Sequence, residues 1–171
     1  ANFSNIHGDD VANNKMKVGY HIGGFVTVPF GNIAFQPELL VSTRGYKADE
    51  GDGSVNLMYL DIPLLLKFYL SDNFNIHVGP QAGLNLSAKL DDGDNSTDLD
   101  NPNTLDFGAA AGLEYDTDFG FVLGARYYYG MTKIQGDYES SVTVGSTTTK
   151  TEIEAPDVKN NMIQVYVGIG F

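Results

Sequence analysis

The chain has 171 residues, most simply one domain, with 22 Asp and Glu against 10 Lys and Arg and a formal net charge of −12. It contains no cysteine, which excludes a disulfide framework and thiolate metal sites. The acidic balance argues against nucleic acid, which needs a basic stripe, and against a polybasic membrane contact.

The longest apolar run, Ile62 to Leu66, is far short of the about 20 residues of a spanning helix. Spanning strands need only alternate apolar residues, and the pattern predicts eight of them. Short connections at 29–32, 71–73 and 116–118 alternate with long ones at 7–15, 47–54, 91–103 and 136–159. The first strand is expected to be truncated at its N-terminus: only residues 1–6 precede the first loop, and a crossing takes about 9–11. Lys17 and His21 fall in the second strand; Gln36, Glu38 and Arg44 fall in the third. In the fourth, Leu60, Ile62, Leu64, Leu66, Phe68 and Leu70 alternate with positions that include Asp61, Lys67 and Tyr69. The fifth sets Ile76, Val78, Ala82 and Leu84 against His77, Gly79, Gln81, Gly83 and Asn85. The sixth sets Phe107, Leu113 and Tyr115 against Gly108, Gly112 and Glu114, with Asp106 just before. The seventh sets Phe121, Leu123, Tyr127 and Tyr129 against Gly124, Arg126, Tyr128 and Gly130. The eighth is the cleanest, with Ile163, Val165, Val167, Ile169 and Phe171 against Met162, Gln164, Tyr166, Gly168 and Gly170.

Period two puts the two sets on opposite sides of a sheet. One is continuously apolar. The other mixes glycine with charged and amide groups, too poor in Lys and Glu for a solvated surface. The apolar set is therefore expected to face lipid and the other a narrow lumen. Phe30, Phe35, Phe68, Phe74, Tyr115, Phe119, Phe121 and Phe171 gather near the short turns or the C-terminus, and Tyr46, Tyr127 and Tyr129 toward the long loops, as two aromatic girdles would. Pro37, Pro63 and Pro80 fall inside strands and each removes a ladder donor. Bulges there, or a register that leaves the missing donor at a wide gap, are expected. Within the last long connection, 138–144 and 147–153 around Gly145-Ser146 read as a hairpin that would project as a polar ribbon.

The expected lumenal network comprises His21, Glu38, Asp61, Lys67, His77, Gln81, Asp106, Glu114, Arg126 and Gln164, joined by Lys17 and Arg44. Acids and bases balance, which suggests ion pairs, because unpaired buried charge is costly. Eight strands enclose a space that side chains just fill, so a structural plug is expected rather than a pore or proton relay. The aspartates between 91 and 100 lack the spacing of a calcium loop, and no metal or cofactor is expected. With only His7, His21 and His77, and no Gly-x-Ser-x-Gly elbow, no enzyme is expected either.

Three stretches carry a family resemblance. They are Gln36-Pro37-Glu38-Leu39-Leu40 followed by Gly45, Tyr59-Leu60-Asp61-Ile62-Pro63-Leu64-Leu65-Leu66-Lys67, and Val78-Gly79-Pro80-Gln81-Ala82-Gly83. Through them the chain resembles the PorT-like outer-membrane β-barrel family of Gram-negative bacteria over nearly its whole length. The resemblance implies an eight-stranded barrel with periplasmic termini. It implies that the closing strand, through Tyr166 and Phe171, is the signal read by the outer-membrane assembly machinery, and that some relatives take part in secretion.

The reading is one all-β domain over residues 1–171, an eight-stranded antiparallel up-and-down barrel in the bacterial outer membrane, with short periplasmic turns and long extracellular loops. Expected partners are outer-membrane lipid, the assembly machinery, and an envelope or extracellular protein at the acidic loops. The expected role is structural or interactive, accessory to secretion. The alternatives are a soluble lipocalin-like small-molecule carrier, which needs an apolar lumen and a polar exterior, and an outer-membrane lipid-modifying enzyme.

Overall fold

The computed structural model describes residues 1–7, 14–48, 54–91, 96–98, 104–134, 138–144, 147–153 and 158–170. These contain strands β1 (Asn2–His7), β2 (Asn14–Gly19), β3 (His21–Phe25), β4 (Val28–Phe30), β5 (Ile33–Ala48), β6 (Ser54–Tyr69) and β7 (Phe74–Asp91). They continue with β8 (Ser96–Asp98), β9 (Leu105–Asp116), β10 (Phe121–Lys133), β11 (Tyr138–Val144), β12 (Thr147–Ile153) and β13 (Lys159–Ile169). One sheet follows the order β2-β1-β13-β10-β9-β7-β6-β5-β3, with β4 also on β5 and β8 also on β7. β2 pairs β5 as well as β1, so the wall returns to its start. The result is an all-β, antiparallel, nearly closed barrel. The strands β11 and β12 pair with each other as a separate ribbon, Tyr138 opposite Ile153 and Val144 opposite Thr147.

The short connections lie at one end. Gly31 and Asn32 link β4 to β5 with Phe30 opposite Ile33, and Gly31 takes a φ of 70°, which glycine adopts without a Cβ penalty. The turn from β9 to β10 places Gly120 at φ 83° and bonds its amide back to the Thr117 carbonyl at 3.0 Å.

Proline acts differently from a bulge. The ladder between β5 and β6 lapses after Pro37 opposite Leu64 and resumes at Leu40 opposite Asp61 in the same register. The one between β6 and β7 lapses after Pro63 opposite Gln81 and resumes at Leu66 opposite Val78, again unshifted. Missing donors thus leave a pause without a slip. The register shifts lie elsewhere. Between β6 and β7 the partner of Met58 is Ser87 and that of Tyr59 is Asn85, which makes Leu86 the extra residue. The register against β5 also shifts within β2: Met16 faces Tyr46, whereas Tyr20 already faces Thr43 in the register of β3, so the extra residue falls within 17–19; the Tyr20 amide is taken by the Thr43 hydroxyl at 2.9 Å while the Thr43 amide bonds the Tyr20 carbonyl at 2.8 Å.

The apolar set faces outward. Leu64, Leu66, Ile76, Val78, Leu113, Leu123 and Val165 are exposed, while Asp61, Lys67, His77, Glu114, Arg126 and Gln164 on the opposite parity are buried. Phe30, Phe119, Phe121 and Tyr115 are exposed near the short turns, Tyr127 and Tyr129 farther up. One part of the interior departs from the polar expectation. Val55, Leu57, Tyr59, Ala88 and Ile134 form a buried apolar cluster toward the long-loop end, with Val158 against it.

Candidate functional site

Among the described residues, charged groups gather in number in the interior, where the strands contribute them through their inward parity. Three centres lie at successive heights.

Nearest the short turns, Lys67 of β6 donates to Glu114 of β9. The other Glu114 oxygen accepts from the Tyr166 hydroxyl of β13 at 2.8 Å. Asn75 bridges to Asp116 at 3.2 Å. At mid-height, Arg126 of β10 grips Glu38 of β5 through both terminal nitrogens, at 2.9 and 3.1 Å. This two-point geometry fixes orientation as well as charge. Gln36 donates to Glu38 at 2.8 Å and accepts from Thr27 at 2.7 Å. Higher still, the fully buried Arg44 of β5 donates to Asp61 of β6 and, at 2.7 Å, to Asp106 of β9. Ser42 donates to Asp61, and Asn160 donates to Asp106 at 3.2 Å.

Aromatic rings complete the packing of the cations. Arg44 lies 4.5 Å from the Tyr59 ring centre and 4.7 Å from that of Tyr128, and Arg126 lies 5.0 Å from that of Tyr166. A guanidinium over a ring face gains electrostatic attraction in addition to its ion pair.

Glycine makes room for these rings. Gly124 stands directly opposite Tyr166, and a Cβ there would fall 2.1 Å from the ring carbon that carries the hydroxyl. A Cβ at Gly108 would fall 2.6 Å from a Tyr128 ring carbon, and one at Gly112 would fall 2.6 Å from the His77 Nε2. The glycine-rich parity is therefore the complement of the lumenal rings.

The sequence-predicted residues divide into two groups. Glu38, Asp61, Lys67, Asp106, Glu114 and Arg126 are brought into ion pairs. Gln164 donates to Asn2 at 3.3 Å, and His21 meets the same Asn2 oxygen at 2.5 Å while lying edge-on to Tyr166. His77 and Gln81 are buried without a hydrogen-bond partner among the described residues. Lys17 contacts Ser54, Asn56 and the Val55 carbonyl at the rim. Tyr166 turns its ring into the lumen, and Phe171 lies outside the described residues. The sequence reading missed Asn2, Ser42, Tyr59, Tyr128 and Asn160 as members of the network. Tyr59 shares the parity of Asp61, and Tyr128 that of Arg126, which was the available signal.

An apolar exterior around a polar, ion-paired interior, with turns alternating in length, defines a transmembrane β-barrel. It is the reverse of a soluble carrier with an apolar lumen. The chain belongs to the outer membrane protein beta-barrel domain family, whose model matches residues 1–136. Its location is accordingly the outer membrane. The match stops before β13, yet β13 is the strand that joins β10 to β1. No curated protein and no solved structure matches the chain.

Proposed function

We propose that this is a filled, non-conducting, eight-stave barrel of the PorT-like kind, with a structural or protein-interaction role in the cell envelope, accessory to secretion. In this reading β2, β3 and β4 are one stave, broken by the one-residue register shift before Tyr20 and by the lapse at Val26 and Thr27. The short strand β8 is a branch on β7, and the β11–β12 ribbon belongs to a loop. Short turns face the periplasm, and long acidic connections face outward to meet a protein partner. Lengths of 16, 16 and 18 residues for β5, β6 and β7 support a wall raised above the membrane on that side, since a crossing takes about 9–11.

The observation that carries the reading is the side-chain filling of the lumen. Three buried ion-paired centres, backed by tyrosine rings and an apolar layer, occupy the barrel at successive heights. Absence of catalysis is part of the proposal. Its support is that Glu38, Asp61, Asp106 and Glu114 are each held by a base, which leaves none poised as a general acid or base. The closing strand, through Tyr166 and Phe171, serves the assembly machinery.

Planar-bilayer recording on protein with a heat-dependent gel shift tests the filled lumen. Insertion without steady conductance is expected; a persistent open level overturns it. An unchanged set of secreted proteins in a strain lacking the gene would remove the secretion role.

A further inference from the structure

The buried charges of the lumen do not sum to zero. Among the described residues four acids are buried inside, Glu38, Asp61, Asp106 and Glu114, against three bases, Arg44, Lys67 and Arg126. Lys17, the fourth base of the expected balance, stands at the rim instead, on Ser54, Asn56 and the Val55 carbonyl. Lys67 answers Glu114 and Arg126 answers Glu38, one for one. The surplus acid therefore lies in the Arg44 centre, where one guanidinium serves both Asp61 and Asp106.

That centre is poorly placed to carry a net negative charge. Asp61 is fully buried, Asp106 is 3% exposed, and Tyr59, which stacks on Arg44, belongs to the apolar cluster of Val55, Leu57 and Ile134. Two carboxyls held together in a buried space resist ionising together, and keeping one proton between them removes the repulsion. The hydrogen bonds show which oxygen has room for it. Both Asp61 oxygens accept, one from Arg44 and the other from Ser42. On Asp106, Oδ2 accepts from Arg44 at 2.7 Å and from Asn160 at 3.2 Å. Its Oδ1 is buried with no partner among the described residues, and so is the Tyr128 hydroxyl that faces Asp106. Around Asp106, β5 presents Arg44, β6 presents Asp61 and Tyr59, and β10 presents Tyr128. Opposite it, β7 presents Gly83, and β13 presents the uncharged Asn160. No second base stands in that set.

We propose that the Arg44 centre is a proton-binding site: Asp61 and Asp106 together hold one proton at neutral pH, carried on Oδ1 of Asp106 and donated to the Tyr128 oxygen. The centre then consists of one guanidinium, one carboxylate and one neutral carboxyl, and the buried charges of the lumen balance. Each existing bond is kept. Oδ2 of Asp106 still accepts from Arg44 and Asn160, and Asp61 is the carboxylate that pairs with Arg44. The proton is structural, enclosed by the barrel and not offered to a substrate. The proposal rests on the filled-lumen reading, because a water-filled channel would solvate the extra charge.

NMR of the full chain in lipid, labelled with carbon-13 at the aspartate carboxyls and assigned through the backbone, reports each carboxyl separately. At neutral pH Asp106 is expected at the chemical shift of a protonated acid and Asp61 at that of a carboxylate, with Asp106 moving to the carboxylate position only in alkali. Both ionised at neutral pH, or the proton on Asp61, overturns the proposal. Stability is a second readout. Above about pH 4 an aspartate of the unfolded chain gives up its proton while the folded Asp106 keeps it. This site therefore makes the barrel less stable as pH rises, until Asp106 itself ionises. Asp106→Asn, neutral at every pH, removes that contribution. The urea midpoint of the wild type should fall more from weakly acidic to alkaline pH than that of Asp106→Asn; equal falls overturn the proposal. Should Asp106→Asn not fold, the carboxyl shifts of the wild type decide alone. Conductance separates the two readings. An ionised pair in a non-conducting barrel removes the proton site and leaves the filled lumen, whereas an ionised pair in a steadily conducting one removes both.

Discussion

Arg44 is a cation held away from both water and lipid by four neighbours: two carboxylates, Asp61 and Asp106, and the faces of Tyr59 and Tyr128. Removing one partner of a buried ion pair strands the other. Arg44→Met should therefore cost about 3–5 kcal/mol, whereas Asp106→Asn, which leaves Asp61 in place, should cost less. Urea unfolding in bilayers checks both; a wild-type midpoint for Arg44→Met would remove the network from the account of stability. Gly124 shows the steric side of the same design. Its Cβ space is occupied by the Tyr166 ring, so Gly124→Ala is an overpacking change worth about 1–3 kcal/mol. The cost should shrink when Tyr166 is also replaced by alanine, because the clash is then gone. A double-mutant cycle with no coupling between the two positions would disprove the fit.

At the scale of a strand, period two decides which side of the wall a residue occupies. Leu64 is outward and exposed, between Leu65, which is buried, and Pro63. On the lipid face near mid-strand, Leu64→Arg should cost about 2–4 kcal/mol and impair assembly. Unchanged folding into bilayers would mean that the face is not lipid-exposed. Alternation made β6, β9, β10 and β13 legible from sequence, because each keeps one parity throughout. The stretch 14–30 was less legible. Thr43 opposes Tyr20 with a side-chain bond in place of a ladder bond, and that substitution depends on a residue far along the chain. The apolar layer of Val55 and Leu57 was hidden for another reason: an inward apolar residue and a lipid-facing one look alike until register is known. The prolines were visible, but their effect was not, since a pause and a bulge remove the same donor.

At the scale of the whole molecule, the sequence could assemble a list of lumenal charges but not their pairing. Arg126 meets Glu38 across 88 residues of chain and Lys67 meets Glu114 across 47, and such meetings are set by barrel width and stagger. The tyrosine partners of Arg44 were unreadable for the same reason. The β11–β12 ribbon marks where this dependence on the barrel ends. Among the described residues its two strands pair only with each other, so their ladder contributes nothing to closing the wall. Loop length enters stability only weakly, through a closure entropy that grows with the logarithm of the number of residues. Replacing 138–153 by a short Gly-Ser linker should therefore leave the heat-dependent gel shift intact and move the urea midpoint little. Any binding to an outer protein partner would be lost if the ribbon is the docking element. A variant that no longer reaches the folded, heat-shifting form would show instead that the ribbon helps to close β10 onto β13, and the boundary drawn here between barrel and loop would be wrong.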